Sequence, residues 1–435
     1  MIPKAPFSSA RYVLLSATLL TLSGFSLAQD ACPNRGQLDT AYCDANNDLV
    51  ADLPANKSRH RDPSTLVWAY TPVEDPAVYA NIFKPFTDHL EKCVGKKTVY
   101  YPVQSNAAEI EAMRSGRLHF AGFSTGPTGF AVNMAGAVPF AAKGVGTEVR
   151  GYNLLAIVKS GSAFQKLSDL KGKKVAHTSP SSNSGNLAPR VLFPSLGLTP
   201  DNDYKPMMSG GHDKSILGVA SGDYEMAAVA SDVFDRMITR GTVKKEDFRV
   251  IYRSATFPTS SFAYAHDLKP ELATKLQQCF YSFRFTESMK KEFNGDDRFL
   301  PISYAKDWAV VRDVAEKSGT PYNKAAYEAE SKREAEAAAK RAAAAAAAAG
   351  GDETVRVPAS GTASRRRETA FFVLPRARPP HGQARPAHGG EEGSGVLLGR
   401  FRGNPNYLPR FYTAANFEAL VLIEAGLPTG VRGQR

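Results

Sequence analysis

Residues 65–123 alternate between two hydrophobic patterns, and this alternation restricts the possible folds more than any other feature of the chain. In "STLVWAYTPVEDP" a run of β-branched and aromatic residues at 65–70 meets a turn rich in Pro and Asp. "AVYANIFKPFTDHLEKCVG" then places Val78, Ile82, Phe86 and Leu90 at roughly helical spacing, with Gly95 as the stop. "KKTVYYPV" returns to strand character, "SNAAEIEAMRSG" to a short helix ending at Gly116, and "RLHFAGF" to strand. Strand and helix alternating through such short connections predict an α/β domain with a parallel sheet.

The pattern resumes beyond residue 150. "YNLLAIVKSGS" is strand-like, "LSDLKGKKVAH" reads as a short helix and a strand, and "GNLAPRVLFPSLG" as a helix. "FRVIYRSATFP" is a further strand running into a loop, and residues 269–283 and 306–331 have helical patterns. Two α/β units joined by extended strands at 152–158 and 249–254 predict two lobes with a crevice between them. Ligands of open α/β sheets bind beyond the carboxyl ends of the strands, and a hinge adds closure on the ligand.

The flanks carry processing signals and low-complexity sequence. Lys4 and Arg11 precede an apolar run at 12–22, and Ser26-Leu27-Ala28 forms a small-x-small cleavage site, so residues 1–28 read as a secretory signal peptide. Residues 29–64 are a polar, turn-rich extension. The exported chain has four cysteines and no CxxC pair; three pairings are possible. The expected pairs are Cys32–Cys43, closing a local loop, and Cys93–Cys279, joining the ends of two helices; free buried thiols are the alternative. Residues 331–350, "SKREAEAAAKRAAAAAAAAG", lack an apolar stripe and predict a solvent-exposed helix fraying into a linker. Residues 351–435 hold twelve Arg, no Lys and seven acids, which predicts a disordered or frame-shifted tail. That tail contributes about half of the net charge of +11, so no basic face is expected on the folded body and no nucleic-acid partner.

Three strand-to-helix junctions concentrate hydrogen-bond donors. In "VAHTSPSSNSGNLAPR" the residues from 178 to 185 fall where first-turn N–H groups have no intrahelical partner, an anion site that needs no lysine. Ser182, Asn183 and Ser184 add side-chain donors, Gly185 opens the backbone, and Ser179 and Ser181 read as turn residues. "GGHDK" sets His212 ahead of a helix, and "GRLHFAGFSTGPTGF" sets Ser124 and Thr125 at a helix start in the facing lobe. Ordinary N-caps and a structural histidine are the plain reading of each junction alone. Together they predict donors converging from both lobes on a small tetrahedral oxyanion.

The run Ser182-Asn183-Ser184-Gly185, followed by Leu187 and Pro189, resembles the Ser-Thr-Ser-Gly-x-x-x-Pro signature of phosphate/phosphite/phosphonate substrate-binding proteins of ABC transporters. "YTPVEDP", "GYNLLAIVKSGS", "SDLKGKKVA" and "GGHD" fit the same family, and the resemblance spans roughly residues 65–325. It implies a two-lobed periplasmic-binding-protein fold (type II-like) of class α/β, with two mixed-sheet lobes joined by the two crossing strands. Lobe I would comprise 65–153 and 256–330, and lobe II 154–255. It further implies a periplasmic monomer without cofactor that captures a phosphorus oxyanion for an inner-membrane permease.

Carried onto this sequence, the anion contacts of the family fall on Ser182, Asn183, Ser184 and His212, and a ligand-reaching tyrosine on Tyr152. Asp232 matches an acid that pairs with the ammonium of aminoalkylphosphonates, and Ser124 and Thr125 match the first-lobe junction. Asn183 stands where threonine is usual, and Ser260 where aminoalkylphosphonate binders have a second acid. Phosphite, phosphate or a small alkylphosphonate is therefore at least as well matched. A protonated ligand oxygen would find an acceptor in Asp232 or in neutral His212.

Two other classes are represented. Ser184, His212 and Asp232 together suggest a nucleophile, base and orienter, but the serine lacks a G-x-S-x-G elbow. The Arg-rich tail suggests a polyanion binder, without the interleaved aromatics that would support it. No P-loop, dinucleotide fingerprint or H-E-x-x-H site is present, so no cofactor is expected.

Overall fold

A computed structural model describes residues 32–350, with side chains through residue 343. The signal peptide expected at 1–28 and the tail expected at 351–435 lie outside the described residues.

The first excursion of the chain runs β1 (Thr65–Tyr70), α1 (Pro76–Ile82), α2 (Lys84–Leu90), β2 (Lys97–Tyr100), α3 (Asn106–Arg114), β3 (Phe120–Phe123), α4 (Thr125–Ala135) and β4 (Ala137–Gly144). It then crosses into a second sheet through β5 (Tyr152–Lys159), β6 (Val175–His177), α5 (Ala188–Leu192), β7 (Pro206–Met208), α6 (His212–Ser221), β8 (Met226–Ala230), α7 (Ser231–Thr239) and β9 (Phe248–Phe257). It returns through β10 (Ser261–Ala265), α8 (Pro270–Ser282), α9 (Glu287–Glu292), β11 (Arg298–Pro301), α10 (Tyr304–Asp307), α11 (Ala309–Lys317) and α12 (Lys324–Gly350).

Two mixed sheets result, one six-stranded in the order β11-β4-β10-β3-β1-β2 and one five-stranded in the order β7-β6-β8-β5-β9. β1 lies parallel to β2 and β3, as the alternating pattern predicts, while the returning β10 runs antiparallel between β3 and β4. In the second sheet β6 is parallel to β7 and β8, and the long strands β5 and β9 are antiparallel neighbours. The two strands expected to cross thus belong to the second sheet, and Tyr152 pairs with Phe257 where the chain leaves and re-enters the first.

An aromatic core fixes the first lobe. Trp68 is fully buried, edge-on to Phe83 and Phe86 and stacked on Phe120. The Cys93–Cys279 disulfide ties the end of the α2 region to α8, and Cys32–Cys43 closes the loop in the N-terminal extension. That extension is more than a locally stapled segment. Leu38, Tyr42 and Ala51 are buried, and Asp39 N–H donates to the carbonyl of Asn133 near the end of α4. A few apolar anchors outweigh its polar composition.

Candidate functional site

β6 ends at His177, and the loop after it turns back through one wide, π-helical turn (Asn183–Leu187) before α5 begins. Ser182 caps this turn, its Oγ accepting from Gly185 N–H at 3.1 Å. The N–H groups of Asn183 and Ser184 have no acceptor among the described residues. Thr178, Ser179, Pro180, Ser182 and Asn183 face a cavity between the lobes. Ser184 and Gly185, expected in the cradle, do not line it. The wide turn swings them inward, where Ser184 is 1% exposed and a Cβ on Gly185 would lie 1.9 Å from Thr178 Oγ1. Gly185 is therefore required by packing against the loop's own side chains.

The first lobe contributes the N-terminus of α4. Ser124 is its N-cap, makes no capping bond, and lines the cavity. Thr125 also lines it, but its hydroxyl donates to the carbonyl of Pro258 at 2.9 Å. One residue on, a Cβ at Gly126 would fall 2.1 Å from the carbonyl oxygen of Ser181 in the opposite lobe. The lobes are closed on each other.

His212, the first residue of α6, has its tautomer set by the backbone: Nδ1 accepts from Ala230 N–H at 3.1 Å, leaving the proton on Nε2. Burial lowers its pKa from 6.5 to about 4, so the ring is neutral. His212 accordingly offers the cavity an N–H donor, and the expectation that it could accept from a protonated ligand is corrected. Tyr152 and half-buried Asp232 also line the cavity. Burial raises the Tyr152 pKa, against hydroxyl and amide neighbours that lower it. Asn183 Nδ2 donates to the Tyr152 hydroxyl at 3.2 Å, while its Oδ1 is buried without a partner among the described residues. A phenol accepts or donates equally well, so either end of the amide can satisfy the contact with Tyr152.

Several participants escape a motif-based reading. Ser179 and Ser181 are contacts between lobes, accepting from Asn106 Nδ2 at 3.3 and 3.4 Å. Tyr70 and Ser260 line the cavity and are bonded to each other, and buried Lys143 donates to the Tyr70 hydroxyl at 2.8 Å. Most unexpectedly, Glu334, Ala337 and Arg341 of α12 form part of the wall, so the Ala-rich helix is not a free linker. Away from the cavity, Glu74 of the first lobe bonds Arg236 and Arg240 of α7, with Oε–N distances of 2.5 Å, and Arg240 also reaches Glu292 of α9 at 2.6 Å.

The cavity holds about 60 Å³, room for about four water-sized groups. Its lining mixes hydroxyl, amide, imidazole and backbone donors with two acids, Asp232 and Glu334; Arg341 is the one basic residue among the described lining. Such a set can bind an oxyanion directionally, one donor to each oxygen. It does not resemble a hydrolytic triad, since Ser184 is off the wall and His212 Nδ1 is engaged by the backbone. The described residues hold no cluster of three or more metal-ligating side chains.

A family model described as "ABC transporter, phosphonate, periplasmic substrate-binding protein" matches residues 68–308. The chain is 27% identical over 281 residues to the phosphate-import protein PhnD of Mycolicibacterium smegmatis, covering 60% of this chain and 85% of that protein. It is 25% identical over 210 residues to the phosphonates-binding periplasmic protein of Escherichia coli, covering 47% of this chain and 62% of that one. In fold it is similar to PhnD1 from Prochlorococcus marinus, solved in complex with methylphosphonate, with a TM-score of 0.54 at 17% identity, covering 59% of this chain and 99% of that one. A binding-protein component of a phosphonate ABC transporter from Pseudomonas aeruginosa gives the same TM-score of 0.54 at 19% identity, covering 65% and 99%.

Proposed function

Because the chain belongs to the phosphonate-binding family of periplasmic substrate-binding proteins of ABC transporters, a family of binders and not of enzymes, we propose that its closed cleft captures one small phosphorus oxyanion. The ligand is methylphosphonate, phosphite or phosphate, and it is handed to a membrane permease when the lobes reopen. The carrying observation is the convergence of Ser124 from one lobe and of Ser182, Asn183 and His212 from the other on a cavity of about 60 Å³. About four water-sized groups correspond to three phosphoryl oxygens and one small substituent. Ser182, Asn183, His212, Tyr152 and Ser124 act as donors in this reading. Ser184 and Gly185 shape the turn, and Thr125 does the same from the first lobe.

The donors are neutral, so the ligand's charge is balanced by oriented dipoles and not by a contacting lysine. Asp232 repels a fully deprotonated ligand and accepts from a protonated oxygen, which favours the monoanion. Ser260 is bonded to Tyr70 and supplies no second acid at its position. That favours ligands without an ammonium group.

Calorimetric titration with methylphosphonate, phosphite, phosphate and 2-aminoethylphosphonate tests the proposal. Micromolar or tighter binding of one of the first three, without turnover, is expected. Failure to bind any member of the panel overturns it.

A further inference from the structure

α12 has the composition of a helix that needs no core, and yet it crosses the mouth of the cleft. Alanine, glutamate, lysine and arginine are strong helix formers, so this segment keeps its shape whether or not it is docked. Its start is seated on the first lobe: the Tyr327 ring lies 5.8 Å from that of Phe130, and its hydroxyl reaches the carbonyl of Ala107. Two turns on, the Glu334 carboxylate accepts from the N–H groups of Asn106 and Ala107 at 3.3 and 3.0 Å, satisfying the first turn of α3. Beyond it, the Arg341 guanidinium packs on Gly210 of the second lobe, where a Cβ would lie 2.8 Å from Cζ. From Tyr327 to Arg341 the helix advances about 21 Å, enough to bridge the two lobes.

Glu334 has no cation within ion-pair distance among the described residues, and burial raises its pKa against the two N–H groups and Arg341. Glu334 is half-buried, and its carboxylate is spent on backbone N–H groups of the first lobe and not on a cation, so the contact fastens α12 to the start of α3. Glu334, Ala337 and Arg341, spaced three and four apart, put one face of the helix on the cavity.

We propose that α12 is a strap over the closed cleft, clasped to the first lobe by Glu334 and resting on the second through Arg341, which must lift for a ligand to enter or leave. The proposal rests on the cleft being the binding site. Because the strap is a stable helix, it detaches as a rod. It therefore governs the rates of exchange and excludes ligands whose substituent would reach the α12 face.

Two measurements on the full chain test it. Hydrogen exchange without ligand reads the clasp: the amides of Asn106 and Ala107 are expected to be protected, and to exchange at least about tenfold faster in Glu334→Ala and Glu334→Gln, as on loss of charge-assisted bonds. Stopped-flow binding of methylphosphonate reads the strap: both association and dissociation are expected to accelerate about tenfold or more in Glu334→Ala, and also in Arg341→Ala, with Kd changing less. Equal amide exchange in parent and Glu334 variants overturns the clasp. Methylphosphonate binding with unchanged rates in both variants overturns the gating role. If the amides behave as expected but no phosphorus oxyanion binds the parent, the clasp stands and the functional reading alone fails.

Discussion

His212 has its ring chemistry fixed in the closed cleft, because the Ala230 N–H takes Nδ1 and burial holds the pKa near 4. Nε2–H is then a donor throughout the range in which an exposed histidine would gain charge. Replacing His212 with Ala should weaken methylphosphonate binding about tenfold, the value of one hydrogen bond in a desolvated site. Gln, whose amide reaches the Nε2 position, should recover part of it. Between pH 8 and 5.5 the parent and His212→Gln should share one pH profile in calorimetry; a parent affinity that rises selectively through pH 6.5 would mean the ring is charging in the complex. Asp232→Asn should strengthen phosphate binding most at alkaline pH, where the dianion meets the carboxylate; equal affinity in both proteins at all pH values would show that Asp232 does not face the ligand. At this scale the sequence was readable where chemistry is local. Ser182, Asn183 and His212 stand at strand ends and helix starts that spacing locates. Ser184 and Gly185 lie in the same loop but off the cavity lining, because the wide turn packs them against the loop's own side chains, a packing that motif spacing does not show. Glu334 is more than 140 residues from the cradle, and nothing local to "SKREAEAAAK" says what it will lie against.

The elements themselves followed from periodicity, and their partners did not. β1, β2 and β3 are parallel as the alternation requires, but the insertion of β10 between β3 and β4 is a choice made by tertiary packing. The link from Glu74, before α1, to Arg236 and Arg240 of α7 is of this kind: three charged residues in an otherwise unremarkable pattern become a buried join between the lobes. Burial pushes the Glu74 carboxyl up, but the two guanidiniums pull it down further, and its pKa falls below the ordinary 4.5. The carboxylate therefore stabilises the closed protein above pH 4.5, and that contribution is lost as pH falls through the lowered value. Glu74→Gln should cost about 3–5 kcal/mol, as expected when one partner of a buried ion pair is removed. Urea unfolding of parent and variant checks this, and a change below about 1 kcal/mol would mean that water replaces the lost carboxylate.

Among the described residues the two lobes are held closed through polar contacts: Asn106 with Ser179 and Ser181, His212 N–H with the carbonyl of Val73, Glu74 with α7, and α12 across the mouth. Such an interior is sensitive to acid in a definite window. His177 and His212 are both buried, and burial depresses each from 6.5 to about 4; His177 is wedged between Asn186 and the Tyr204 hydroxyl. The unfolded chain takes up protons on these rings near pH 6.5, the native protein only near 4. Between those values the unfolded state holds more protons, so stability falls as pH drops, by up to about 1.4 kcal/mol per pH unit for each ring. The full shift corresponds to roughly 3 kcal/mol for each ring, large beside the 5–15 kcal/mol typical of a folded domain. Urea midpoints at pH 7, 5.5 and 4.5 should therefore decline steadily, before the Glu74 contribution is lost at still lower pH. Burial holds His266 near 4 as well, so His177→Gln should flatten the decline by about a third, because the amide keeps hydrogen bonding without a titratable ring. A midpoint that declines as steeply in His177→Gln as in the parent would show that the His177 ring reaches solvent and charges freely in the folded protein.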